Sequence, residues 1–246
     1  MSNSVFKCGA VAALNTQKSI RKNANIYAIA LDGPSGAGKS TVAKLVAKEL
    51  GITYLDTGAL YRALGLVCLN NDVDVKDGIA VENCIKAVDV NIIYEGGVQT
   101  VTTDGADVTS KIRTPEVSMA ASAVSAIPYV RQKLLGLQRG IAEKSSVILD
   151  GRDIGTVVLP NAEYKFFLTA SAEVRAKRRF DELTAKGQAV VYADVYNDVV
   201  TRDRNDSTRA IAPLKRASDA VEINSDNMTA EAVAKYICFT VNGDIL

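Results

Sequence analysis

The run Gly33-Pro34-Ser35-Gly36-Ala37-Gly38-Lys39-Ser40 has the spacing GxxxxGK[ST] and joins a short apolar segment to an amphipathic one. Its glycines let successive peptide N–H groups turn inward around an anion, a geometry that belongs to a strand feeding directly into a helix. The flanks agree. Ile26 to Leu31 is apolar throughout, as a buried parallel strand is. Beyond Thr41 the period changes: Val42, Leu45, Val46 and Leu50 share one helical face, Lys44, Lys48 and Glu49 lie outside it, and Gly51 supplies a stop. The motif therefore predicts a phosphate grip by Gly33, Pro34, Ser35, Gly36, Ala37, Gly38, Lys39, Ser40 and Thr41, with the Lys39 ammonium on the β- and γ-phosphates and the Ser40 hydroxyl on Mg²⁺. A dinucleotide fingerprint seeded by Gly36-Ala37-Gly38 is the weaker reading, because Thr41 stands where its third glycine belongs.

The rest of the chain alternates strand and helix signals. Ile52 to Leu55, Val147 to Leu149, Lys165 to Leu168 and Ala220 to Ile223 read as strands. Helical periods begin at Thr57, run through Pro115 to Ile141 with a break at Pro128, and return over 172–183 and 193–204, with Thr229 capping a last helix. The alternation predicts an α/β fold: a phosphate-loop core with a central parallel sheet and helices on both faces. Val88 to Tyr94 and Val98 to Thr103, joined through Glu95-Gly96-Gly97, predict a hairpin interrupting that alternation, hence an insertion.

Composition removes several classes of function. Histidine is absent, which excludes imidazole bases, Ser-His-Asp triads and His-ligated metals. The net charge of +1 supplies no field for a nucleic-acid backbone, so no nucleic-acid partner is expected. Cys8, Cys68, Cys84 and Cys238 form no CxxC pair, which points to a reducing, cytoplasmic setting. No apolar run is long enough to span a bilayer, and no membrane partner is expected. Residues 1–25 carry Lys7, Lys18, Arg21 and Lys22 before any acid, compatible with a transit peptide, a disordered leader or an over-called start, and they are left out of the fold.

A phosphate loop alone is shared by GTPases, ATPase machines and small kinases. The Asn-Lys-x-Asp guanine signature is missing, and a kinase for a small phosphorylated acceptor requires a second anionic site lined with arginine. Candidates are Arg62, Arg113, Arg152 and the 202–209 stretch. Asp150, ending an apolar run, reads either as a Mg²⁺ carboxylate or as the cap of the next turn. Asp32 reads as a base or a turn former. Arg175, Arg178 and Arg179 share a helical face that is either solvated or part of a lid over ATP. Arg202-Asp203-Arg204 also suits a salt-bridged helix surface.

Four segments, DGPSGAGKST, LDTGALYR, DGRDIGTVVLP and TRDRNDSTRAIAPL, are similar in order and spacing to signatures of the bacterial cytidylate kinases, and the resemblance spans about residues 27 to 236. It implies transfer of the γ-phosphoryl group of ATP to CMP or dCMP by a monomer. It also implies a division into core (26–62, 146–171 and 216–240), a nucleoside monophosphate-binding insertion (about 63–140) and an Arg-rich lid (about 172–215). Position by position, Thr57, Arg62, Arg152, Arg202 and Arg209 would surround the acceptor phosphate, and Arg113 stays a candidate for the same site from the arginine reading alone. Asp206 would bind the ribose, and Ser122, Arg131 and Asp153 would read the cytosine edge. Lys39, Arg152, Arg202 and Arg209 would carry the catalytic charge, Arg178 and Arg179 would meet ATP, and Ser40 with Asp150 would hold Mg²⁺. This chain has Thr57 where many members have Ser, and Asn205, Ser207 and Thr208 where some carry more charged or amide groups. A different acceptor, or a regulatory module that binds ATP without transferring phosphate, is the rival expectation.

Overall fold

The computed structural model describes residues 26–95 and 98–243. Its sheet is entirely parallel, in the order β2-β6-β1-β7-β8, built from β1 (Ala28–Asp32), β2 (Thr53–Asp56), β6 (Val147–Gly151), β7 (Tyr164–Thr169) and β8 (Val221–Asn224). Parallel neighbours need crossovers, and those crossovers cover the sheet. On one face Ile29, Leu31, Ile148, Phe166 and Leu168 pack against α1 (Lys39–Leu50) and α8 (Ala230–Asn242). Ala30, Leu55, Val147 and Leu149 point the other way, toward Leu135, Ile141 and Ala142 of α5 (Pro128–Ala142). This is the expected α/β core with helices on both faces.

Between β2 and β6 the chain builds a second apolar cluster. Leu60, Leu64 and Cys68 of α2 (Thr57–Asn70) meet Val81 and Ile85 of α3 (Gly78–Ile85), Val117 and Val124 of α4 (Pro115–Val124), and Val130 and Leu134 of α5. Truncating a fully buried leucine here, Leu64→Ala for example, costs about 2–5 kcal/mol. The antiparallel sheet β3-β4-β5 closes this unit, from β3 (Val90–Glu95), β4 (Val98–Thr103) and the two-residue β5 (Ala106–Asp107). The expected hairpin is present, with its Gly96-Gly97 turn outside the described residues. Helix α3 and strand β5 were not anticipated, although Asp77 caps α3, accepting from Ile79 N and Ala80 N. The Pro128 break falls where expected, with Pro115 and Pro128 each at a helix start, where a missing N–H costs nothing.

After β7, α6 (Ala172–Ala185) and α7 (Tyr192–Thr208) run side by side over the carboxyl edge of the sheet, joined by a Phe180–Tyr192 edge contact with centroids 5.9 Å apart. Thr229 caps α8 as expected, accepting from Ala232 N. Strand ends, the start of α1 and α7 thus converge at the carboxyl edge, where open α/β sheets bind ligands.

Candidate active site

At the turn from β1 to α1 the glycines act for separate reasons. Gly33 passes so near β7 that an added Cβ would lie 1.9 Å from the Leu168 carbonyl oxygen. Gly38 stands at the N-cap of α1 in a left-handed conformation, φ 93°, and no side chain caps the helix. The first-turn N–H groups are therefore left for an anion, with the positive end of the helix dipole behind them. Lys39 is buried and donates one of its three hydrogens to Pro34 O at 2.7 Å. Burial, and then the neighbouring Arg152 guanidinium, hold its ammonium well below the usual lysine range, against Asp150 and Asp32. Ser40 Oγ donates to Asp150 Oδ2 at 2.7 Å, so a hydroxyl and a carboxylate, both hard oxygen donors, sit together as a Mg²⁺ site requires. Tyr54 OH reaches the other oxygen, Asp150 Oδ1, at 3.3 Å. Burial, with Asp56 nearby, pushes the Asp150 carboxyl up to about 6.

Of the two roles open to Asp32, the geometry shows the turn former. Its two oxygens accept from Ile154 N and Gly155 N, each at 2.8 Å, and pin the π-type turn Ile154–Val158 after β6. Burial raises the carboxyl to about 6 in spite of those hydrogen bonds.

The loop opens into a cleft of about 400 Å³ lined by Ser35, Gly36, Gly38, Lys39, Ser40 and Thr41 at one end and by arginines and carboxylates at the other. That second end draws on many elements. Arg152, just past β6, donates Nε to Asp206 Oδ2 of α7 at 2.8 Å. Asp206 Oδ1 accepts from Ser122 Oγ of α4 at 3.3 Å. Asp153 pairs through Oδ2 with Arg131 of α5 and, at 3.4 Å, through Oδ1 with Arg209 just past α7. Arg209 also donates to Ser125 Oγ at 3.0 Å and to Ala212 O at 2.5 Å. The Arg131 guanidinium lies over the Tyr61 ring, 5.6 Å from its centroid. Beside these, Arg62 and Arg202 each keep a buried Nε with no hydrogen-bond partner. A buried donor left unsatisfied is costly unless a ligand completes it, and in an arginine-lined cleft that ligand is an anion.

The two carboxylates differ. Burial raises Asp153 above the ordinary aspartate value despite Arg131 and Arg209. Burial also pulls Asp206 upward, but Arg152 and Arg202 outweigh it and leave that carboxyl low. Arg202 is itself brought down to about 10 by burial and by Arg152.

The cleft thus gathers Thr57, Arg62, Ser122, Arg131, Asp150, Arg152, Asp153, Arg178, Arg179, Arg202, Asp206 and Arg209 with the loop residues. Gly33, Pro34 and Ala37 stand behind the lining. Arg113 stands beside the cleft: its side chain is 51% exposed and its Nη2 meets Asp56 Oδ2, a carboxylate of the cleft lining, at 3.1 Å. Arg178 lines the cleft while donating to Ser225 O at 2.7 Å. Sequence reasoning passed over Asp56, which accepts from Ala59 N as the cap of α2 and from Arg62 Nη2 at 2.8 Å. Burial raises its carboxyl, but Arg62 and Arg113 prevail and lower it. An aspartate between a strand and a helix is a cap signal that was available. Tyr61, Ser125 and Gln99 carry no local signal at all. Gln99 Oε1 accepts from Asp56 N at 2.9 Å and its Nε2 donates to Asp56 O at 3.4 Å, tying the hairpin to the end of β2.

Residues 29–242 match the family model described as cytidylate kinase. A cytidylate kinase of Caldicellulosiruptor saccharolyticus is 51% identical over 209 residues, 85% of this chain and 92% of that protein. Those of Carboxydothermus hydrogenoformans and Lactobacillus johnsonii are each 49% identical, over 83% and 85% of this chain and 92% and 91% of theirs. A solved shikimate kinase from Acinetobacter baumannii, in complex with shikimate, aligns with a TM-score of 0.45 at 15% identity over 90% of this chain and 96% of that one, a likeness too slight to bear on the substrate.

Proposed function

The chain belongs to the cytidylate kinase family, and from that premise we propose that its cleft moves the γ-phosphoryl group of ATP onto CMP or dCMP, giving ADP and CDP or dCDP. The observation that carries this is the pairing of two phosphate-seeking zones in one cavity: an uncapped helix start, and an arginine wall with buried, unsatisfied donors. A switch that only binds ATP has no use for the second zone.

ATP takes the loop, its phosphates on the peptide N–H groups from Gly36 to Ser40 and on Lys39. Ser40 and Asp150 would hold Mg²⁺, which when bound supplies positive charge to the phosphates. Arg178 and Arg179, which line the cleft, would meet ATP. The acceptor phosphate lies among Thr57, Arg62, Arg113, Arg152, Arg202 and Arg209. Asp206 takes the ribose. For the base, Asp153 accepts from the exocyclic amine of cytosine, which uracil lacks, with Arg131 and Ser122 completing the edge. The 3.4 Å contact from Arg209 to Asp153 Oδ1 is the weaker of that carboxylate's two pairings, so this oxygen is the one free to exchange partners. The chemistry asks mostly for alignment and charge: Lys39, Arg152, Arg202 and Arg209 spread the charge on the phosphoryl group in flight. Closure of α6 and α7 as a lid, over about residues 172–215, and of the inserted unit, about 63–140, excludes water that would hydrolyse ATP.

One chain supplies both zones, so a monomer suffices. Cys68, Cys84 and Cys238 are free thiols, with burial and Cys84 raising Cys68 to about 12, which suits a reducing cytoplasm. No helix of the described residues is long and apolar enough to cross a membrane.

The test is ADP release with CMP, dCMP, UMP, AMP and shikimate as acceptors. CMP or dCMP should lead by at least roughly a hundredfold, as expected where a site pairs with a group the competitor lacks. UMP or AMP matching CMP would overturn the assignment.

A further inference from the structure

Arg175 has the helical spacing of a surface residue, yet its side chain is only 5% exposed. It divides its donors among three segments. Nε donates to Ala170 O, just before α6, at 2.8 Å, and Nη1 donates to Ser35 O in the phosphate loop at 3.1 Å. The remaining edge forms a two-point pair with Asp203 of α7: Nη1 to Oδ1 at 2.9 Å and Nη2 to Oδ2 at 2.6 Å. Neither Arg175 nor Asp203 lines the cleft. The loop also passes close to this side chain, since a Cβ added at Gly36 would lie 3.1 Å from Arg175 Cβ.

A forked pair fixes both a distance and a plane, which a lysine's point charge does not. Asp203 precedes Asp206 by one helical turn and adjoins Arg202, so fixing Asp203 sets the rotation and axial position of both. The other α6–α7 hydrogen bonds, from Tyr192 OH to Glu173 O and from Tyr196 OH to Glu173 Oε1, are exposed and do not touch the loop. A single guanidinium therefore spans the donor loop and the helix that carries acceptor-side groups.

We propose that Arg175 and Asp203 are a positioning pair that registers α7 against the phosphate loop, so that Arg202 and Asp206 stand in line with the donor phosphates. The pair touches neither nucleotide and acts through those two residues. The inference rests on the CMP kinase assignment, because it takes α7 to face the acceptor.

Asp203→Asn retains shape and one acceptor oxygen but loses the charge and the fork. At a temperature where all variants are folded, kcat should fall by roughly ten- to a hundredfold and KM for CMP should rise, since a small misplacement of reacting groups has effects of that size. Binding of a non-hydrolysable ATP analogue should stay within about twofold of the parent, because the cradle itself is intact. The double variant Arg175→Met with Asp203→Leu replaces the pair by apolar groups of similar volume, an exchange that buried ion pairs often tolerate, so it guards against simple unfolding. It should keep a thermal midpoint near the parent's and lose kcat no further than Asp203→Asn does. A merely structural pair would move the midpoint and leave the kcat and KM values alone. A folded double variant with parental kcat and parental KM for CMP overturns the proposal, as does a loss confined to ATP affinity. If the parent itself fails to phosphorylate CMP, the activity assignment fails; if the parent is active and the variants match it, only this inference does.

Discussion

Two walls of one cleft are built on different principles. From Gly33 to Ser40 the wall is backbone, and its function depends on φ angles and uncapped N–H groups. Opposite, Arg131 and Arg209 meet Asp153 and Arg152 meets Asp206, while Arg202 keeps an unsatisfied donor, and the function depends on side chains that partly satisfy one another before a ligand arrives. A backbone cradle fails when its path is blocked. A side-chain wall fails when one member goes, because the partner is left as an uncompensated buried charge.

Removing the cradle's one ammonium side chain should have the largest effect. Lys39→Ala is expected to lower kcat by roughly a thousandfold while the protein stays folded, as measured by steady-state ADP release alongside circular dichroism. Arg209→Ala should lower kcat by roughly a hundredfold or more and leave ATP-analogue affinity nearly unchanged in calorimetry. If both variants lost ATP affinity equally, the two walls would not be separable.

Asp153→Ala sharpens the contrast. It should reduce the CMP over UMP preference in kcat/KM by roughly a hundredfold, and it should also cost about 3–5 kcal/mol in urea unfolding, because Arg131 and Arg209 lose their partner. Unchanged selectivity would remove Asp153 from base reading.

Asp32 gives a comparison in pH. Its folded value of about 6 lies above the unfolded aspartate value, so its contribution to stability is fully present below about pH 4 and is lost as pH rises through about 6. A shift of that size corresponds to about 3 kcal/mol. The stability difference between the parent and Asp32→Asn should therefore change by about that amount between pH 4 and 7, to the parent's disadvantage at the higher pH, in urea titrations.

The smallest effect expected is for Gln99→Ala, which unties the hairpin from Asp56 and should raise KM for CMP by roughly two- to tenfold, as for one or two lost hydrogen bonds, with kcat little affected. No change in KM would mean that the inserted unit holds Asp56 without that clip.

The parts of the molecule that could be read in advance are those whose physics is local. The phosphate loop declares itself because its residues are consecutive and its flanks change period at the right places. The parallel strands are near-continuous apolar runs, and the Thr229 cap and the Pro128 break are short-range signals. Asp56 was within reach by the same logic, as a carboxylate at a strand-to-helix junction. Arg175 shows the limit: its spacing with Arg178 and Arg179 describes a face of α6, but whether that face meets water or α7 is not encoded in spacing.

Sequence alone determined the glycine-rich turn into an uncapped helix, the α/β core and the interrupting hairpin, since each follows from the pattern of a few neighbouring residues. The tertiary structure decided which arginine answers which carboxylate, that Arg113 pairs with Asp56, and that Asp32 holds a turn. Those partnerships join residues far apart in the chain, Arg152 to Asp206 and Asp153 to Arg209 among them, and only the packing of separate elements brings them within hydrogen-bonding distance.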